Sequence, residues 1–357
     1  MTQRFAHTKT TWAILAALVV CPMALRLSAA DDIGSTITAK PAGQIVMKVV
    51  MIEDEDEQPA AAGKAAAAAL EKAMGGVPLK AVLVSECFED RQHKQELLEG
   101  VCSALPAQLV LGGATYGSFA QSGCTDYDSV CLLGIGGDGI GVSTALVTEM
   151  GTSKLVLEEH QDLIEQRLQQ AGAKLAGNLR RTDRDRLLIL LADAHSPKNQ
   201  YLVEGAQQVV GAAFPITGGS ANKNAGQTFV YFQGKMHQDS AVALMLSGDF
   251  RVAMAGRQAK DNDAVIATAK TGAAEAMAAL DGKPTAVLAF NCAGRRGKLK
   301  NMDDELAAMQ QAIGGQLPLF GCYCAGEVGP VDASEKQPGV LCGGSGWHVM
   351  FTIIGRP

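Results

Sequence analysis

The chain has 357 residues, 47% of them apolar, and a net charge of −6 with acidic and basic residues interspersed. It is long enough for a large core, and two domains are expected. No basic block is present, which argues against a nucleic-acid partner. Few aromatics and abundant Gly and Ala suit a packed α/β protein better than an all-β sandwich.

The N-terminus has the pattern of an export signal. Arg4 and Lys9 supply positive charge, residues 12–25 form an apolar stretch too short to span a bilayer comfortably, and Ser28-Ala29-Ala30 offers small residues for cleavage before Asp31. Residues 1–30 are therefore expected to be a signal peptide and 31–43 a linker, leaving an exported protein, periplasmic or secreted, with no stable membrane span after cleavage. Removing Cys21 leaves eight cysteines, and an oxidising compartment permits disulfides. Cys124 and Cys131 are the pair expected to close a loop. No paired C-x-x-C blocks and no H-x-x-H are present, so no metal site is expected.

A repeat organises the rest. "AVLVSECFEDRQHKQELLEGVCSALPAQLVLGG" from Ala81 matches "LLILLADAHSPKNQYLVEGAQQVVGAAFPITGG" from Leu187. Both run apolar strand, polar loop, amphipathic helix, apolar strand, Gly-Gly. Leu-Glu-Gly at 98–100 corresponds to Val-Glu-Gly at 203–205. A looser third copy starts at Thr285 and runs through "TAVLAFNCAGRRG" to "LPLFGCYCAGE". Duplicated supersecondary units follow.

The strands at 82–86, 187–192 and 286–291 are continuous apolar runs, as for strands buried on both faces. Helices are expected at 93–104, 199–211 and 302–313, with longer ones at 60–75, 154–178 and 261–281. Gly136-Gly137-Asp138-Gly139 between two strand-like segments reads as a hairpin, and 227–233 with 239–247 as a second antiparallel pair. The expected fold is α/β, with mixed sheets built from repeated strand-helix-strand units and added hairpins.

Functional loops in such folds gather at the carboxyl ends of strands. The third copy carries the most polar ones, Asn291 to Gly297 and Gly321 to Glu327. Glycines there let the backbone approach a ligand, and an arginine fork matches a carboxylate. Arg295 with Glu327 suits a zwitterion, or else forms a structural ion pair holding two loops. Cys322 and Cys324, two apart on a strand, point to one face and read as packing residues. Cys292 as a nucleophile needs a base, for which His195 and His348 are candidates. No Walker loop, Rossmann fingerprint or H-E-x-x-H is present, so no cofactor is expected.

"FNCAGRRG", "DDELAAMQQAIGG" and "PLFGCYCAGEVGP", with "LLILLADAHS", "FPITGGSA" and "SAVALMLSGDFRVAMA" before them, resemble the FIST domain proteins. The resemblance runs from about Gln44 to Ile354. It implies an N-terminal FIST domain over 44–260 and a C-terminal one over 261–357. It further implies a sensory module that binds a small ligand, an amino acid or related small carboxylate, and works with a separate signalling partner rather than as an enzyme. Carried onto this chain, the ligand-binding residues are Asn291, Cys292, Gly294, Arg295, Tyr323, Gly326 and Glu327. An enzyme using Cys292 or His195, and a protein-interaction scaffold, are the alternatives.

Overall fold

The computed structural model describes residues 43–125, 127–224 and 226–357. The expected signal peptide and nearly all of the expected linker lie outside the described residues.

The chain runs through one pattern three times. The first repeat is β1 (Val46–Glu53), α1 (Pro59–Met74), β2 (Leu79–Glu86), α2 (Arg91–Ala104), β3 (Val110–Ala114), β4 (Ser118–Ala120), β5 (Gly123–Thr125) and β6 (Ser129–Gly136). The second is β7 (Ile140–Val147), α3 (Leu157–Gly177), β8 (Asp185–Ala192), α4 (Asn199–Val210), β9 (Ile216–Ser220), β10 (Val230–Phe232), β11 (Lys235–His237) and β12 (Ala241–Gly248). The third is β13 (Arg251–Gln258), α5 (Asn262–Ala278), β14 (Lys283–Cys292), the single turn α6 (Ala293–Arg296), α7 (Met302–Ile313), β15 (Leu319–Cys324), β16 (Glu327–Gly329), β17 (Gly343–Ser345) and β18 (His348–Arg356).

The three sequence copies are the three parallel pairs. β2 lies beside β3, β8 beside β9, and β14 beside β15, each joined by a crossover helix. Each repeat then contributes a mixed sheet in the same order. The first is β1-β6-β2-β3, the second β7-β12-β8-β9 and the third β13-β18-β14-β15.

None of these sheets ends in its own hairpin. β3 is extended by β10–β11 from the second repeat, β9 by β16–β17 from the third, and β15 by β4–β5 from the first. The exchange is cyclic, and each sheet reaches six strands through it. The attachment points are the repeated Gly-rich strands: Val230 faces Gly113, Glu327 faces Gly219, and Phe119 faces Gly321.

Two expected pairings differ from the structure. The Gly136–Gly139 turn does not make a hairpin, because β6 sits between β1 and β2 while β7 pairs with β12 over eight residues. Segments 227–233 and 239–247 likewise separate, with β10 on β3 and β12 on β8. A glycine-rich turn permits a tight reversal, but the longer register with a distant strand decides the partner. The same exchange separates Cys124 from Cys131, and no disulfide joins any of the eight described cysteines. Cys131 is buried in the inner core, whereas Cys124 contacts Asp303 of α7 at 3.4 Å.

The inner faces of the three sheets meet in one apolar cluster, with Leu83 and Leu133 from the first, Ile189 and Leu244 from the second, and Leu288 and Phe320 from the third. Helices cover the outer faces: α1 and α2 over Val82 and Leu132, α3 and α4 over Leu188 and Met245, α5 and α7 over Val287 and Phe351. Coverage on both sides is why these strands read as unbroken apolar runs. The matched Leu-Glu-Gly and Val-Glu-Gly glycines are also explained. A Cβ on Gly100 would meet Ala60 O of α1 at 2.1 Å, and one on Gly205 would meet Gln169 O of α3 at 2.1 Å. Only a residue without a Cβ lets each helix pair approach this closely.

Candidate functional site

The cyclic arrangement brings loops from the carboxyl ends of all three parallel pairs to one place, as expected for α/β folds. They enclose a cleft of about 440 Å³. Tyr116 comes from the first repeat, after β3. Ser196 and Lys223 come from the second, after β8 and β9. The third repeat supplies Cys292, Gly294 and Arg296 on one loop, Gly326 on the next, and Trp347 from the β17–β18 turn.

Of the residues expected from sequence, Cys292, Gly294 and Gly326 line this cleft. Glu327 lies beneath it, fully buried. Its Oε2 accepts the His348 N–H at 3.0 Å. Its Oε1 has no hydrogen-bond partner of ordinary geometry, and the Cys292 thiol lies beside the carboxyl. Burial pushes the Glu327 pKa up to about 8, against the opposing pull of the His348 amide, the Cys292 thiol and the positive field of Arg295. Cys292 is raised to about 12, first by burial and then by Glu327, with backbone N–H groups offsetting part of the rise. It is therefore a thiol, not a thiolate, at neutral pH.

Asn291 and Arg295 face away from the cleft. Arg295 is fully buried, and its Nη2 donates to Glu305 Oε1 at 2.8 Å and to Val265 O at 2.9 Å. Its Nη1 donates to Thr268 Oγ1 at 3.1 Å and its Nε to Asn291 Oδ1 at 3.0 Å. Asn291 Nδ2 completes the network by donating to Glu305 Oε2 at 2.8 Å. Burial raises the Glu305 pKa, while Arg295 and Asn291 hold it down. The expected clamp of Arg295 opposite Glu327 is thus not formed; Arg295 ties α6 to α5 and α7 instead.

The adjacent arginine takes the place facing the cleft. Successive residues on a helical turn point about 100° apart, so Gly-Arg-Arg-Gly cannot present both guanidiniums to one side. Arg296 Nη1 donates to Tyr116 O at 2.5 Å, and its guanidinium stands 5.8 Å from the Tyr323 ring centre. Tyr323 is fully buried on the outer face of β15, 5.1 Å from Phe119 between ring centres. Cys322 and Cys324 share the inner face, with sulfurs 3.6 Å apart.

Sequence reasoning missed Tyr116, Ser196, Lys223, Arg296 and Trp347 as a set. Ser196 and Lys223 follow the second-repeat strands β8 and β9, at the carboxyl ends where functional loops gather, and Arg296 adjoins a chosen residue. Trp347 carried no signal. His195 lies in a neighbouring cleft with Asp193, 3.6 Å away, and Lys198. Burial and nearby lysines lower its pKa to about 4, so it is neutral at physiological pH. Among the described residues no cluster of three or more His, Cys, Asp or Glu is placed to hold a metal ion. No helix among them is long and apolar enough to cross a membrane.

The family described as FIST N domain matches residues 80–271, and that described as FIST C domain matches 221–330. No curated protein matches the chain. Similar solved structures include the cyanuric acid hydrolase from A. caulinodans, 13% identical with a TM-score of 0.42, covering 88% of this chain and 99% of that one. A second cyanuric acid hydrolase structure is 10% identical with a TM-score of 0.39, covering 88% and 100%. A thiamine monophosphate kinase from Aquifex aeolicus is 12% identical with a TM-score of 0.21, covering 59% and 82%. Likenesses at these levels carry no functional argument.

Two outcomes follow for the buried acids. Arg295→Ala leaves Glu305 buried without its cation and should lower stability by about 3–5 kcal/mol in denaturant unfolding. Little change would mean that the network is dispensable. Glu327 has a folded pKa of about 8 against a usual value of 4.5. Between those values the folded state holds a proton that the unfolded state has lost, so its ionisation lowers stability as pH rises through that window. Glu327→Gln should therefore gain melting temperature relative to the parent at pH 8.5 but not at pH 4. An equal difference at both pH values would show that Glu327 titrates normally.

Proposed function

The chain belongs to the FIST family, whose domains are sensory and ligand-binding in signalling proteins, and from that premise we propose that it is an exported binding protein for a small carboxylate. An amino acid is one such ligand. The observation that carries this reading is the charge of the cleft: its described lining includes Lys223 and Arg296 and no acidic side chain. Lys223 borders both this cleft and the neighbouring one, and Ser196 adds a hydroxyl to the lining here. An arginine fork and a lysine suit a carboxylate. Glu327, buried and mostly protonated at neutral pH, offers an ammonium group little, so the acid end of the ligand contributes most.

The alternative of a cysteine enzyme is less well supported. Cys292 has a raised pKa, and His195 lines the adjacent cleft rather than this one. The thiol keeps its proton, and the Glu327 carboxyl beside it is itself mostly protonated at neutral pH, which leaves a weak nucleophile. Output would pass to a separate signalling partner. Export is supported by the charge, apolar length and small residues of 1–30.

A thermal-shift screen of amino acids and simple carboxylates, followed by calorimetry of the best of them, tests the reading. Lys223→Ala and Arg296→Gln should each weaken binding about tenfold or more, the usual size of one charge-assisted hydrogen bond. Cys292→Ser should keep most of the affinity. Unchanged binding in both charge variants, or no carboxylate that binds, would refute it. For export, N-terminal sequencing of protein from its native source should give a start near Asp31, and an intact Met1 would contradict it.

A further inference from the structure

Trp347 is the part of the cleft wall that a bare carboxylate site does not need. It is half-buried, lies in the turn between β17 and β18, and has a φ of 66°. A bulky L residue rarely adopts that left-handed conformation, and it persists only where surrounding structure enforces it.

The enforcement is visible on both sides. Ala259 N donates to Trp347 O at 3.2 Å. His348 N donates to the buried Glu327 Oε2 at 3.0 Å. The His348 ring closes the turn: its Nε2 accepts Asp332 N at 3.1 Å, which leaves Nδ1–H to donate to Gly346 O at 2.9 Å. Glu327 thus acts on the cleft as a positioning residue for the strained turn.

The indole is also fitted to its surroundings. A Cβ on Gly294 would stand 3.2 Å from the ring atoms Cη2 and Cζ3, so a glycine on the third-repeat loop leaves the ring its place. The ammonium groups of Lys260 and Lys298 each lie 5.8 Å from the ring centre. A large flat side chain is therefore held in a costly backbone conformation, lining the cleft that Arg296 also lines.

We propose that the Trp347 indole is the platform for the body of the ligand, and that the ligand is a planar, ring-bearing carboxylate whose ring lies on the indole while Arg296 and Lys223 take its charge. This rests on the cleft being the carboxylate site. Ring stacking adds about 0.5–1.5 kcal/mol beyond simple burial, so preference for a flat ring should be of the order of fivefold.

The chain has two tryptophans, Trp12 and Trp347, so a Trp12→Phe variant makes Trp347 the sole indole whether or not residues 1–30 are removed. That full-length variant is titrated with benzoate, cyclohexanecarboxylate and acetate by fluorescence and calorimetry. Benzoate should change the emission and bind about fivefold tighter than cyclohexanecarboxylate, which has the same size without the flat π face. Trp347→Gly is the matched control, because glycine adopts φ 66° without strain. It should still unfold cooperatively, bind acetate as before and lose the preference for benzoate. If benzoate and cyclohexanecarboxylate bind alike, or Trp347→Gly keeps the preference, the stacking inference is overturned while the carboxylate site stands. If none of the three acids binds, both fail.

Discussion

Everything at the cleft depends on one constraint: three sheets share a single inner core, and each is completed by a hairpin from another repeat. β10–β11, β16–β17 and β4–β5 each leave their own repeat to extend the next sheet. A strand edge that would otherwise expose unpaired backbone groups is covered by this exchange. Because the exchange is cyclic, the loops after β3, β9 and β15 are pulled toward the same end of the core. Tyr116, Lys223 and Gly326 meet there although more than 200 residues separate the first from the last.

Buried charge reinforces the joints. In the first repeat Glu86, at the end of β2, is held by Lys94 Nζ at 3.1 Å and by the Tyr231 hydroxyl, which arrives on the exchanged hairpin β10. In the third repeat Glu305 is held by Arg295 and Asn291. All of these groups are fully buried, where an unpaired ion is very costly, so each network specifies one arrangement of its elements more than it adds net stability. Glu327 is the exception. Burial raises its pKa, and the distant positive field of Arg295 offsets only part of that rise.

The third repeat has diverged where the first two kept simpler turns. Gly113 and Gly219 face hairpin residues directly, while the corresponding strand of the third repeat carries Cys322, Tyr323 and Cys324. The added bulk fills the inner core on one side and supports Arg296 through the Tyr323 ring on the other. The most polar copy thus also carries larger side chains behind its loops.

The sequence by itself determined the repeat, the strands and helices within it, and the loops that matter. Apolar runs and helical periodicity report which faces are buried, and these are local properties. Leu83, Ile189 and Leu288 were legible as core, and Cys292, Gly294 and Gly326 as lining residues. Only the tertiary structure decided which buried face meets which. It assigned β7 to β12 rather than β6, put Cys124 and Cys131 in different sheets, turned Arg295 inward and Arg296 outward, and brought Trp347 to the wall. The physical reason is that partner choice rests on long registers and on the packing of distant side chains, whereas periodicity and turn chemistry act over only a few residues.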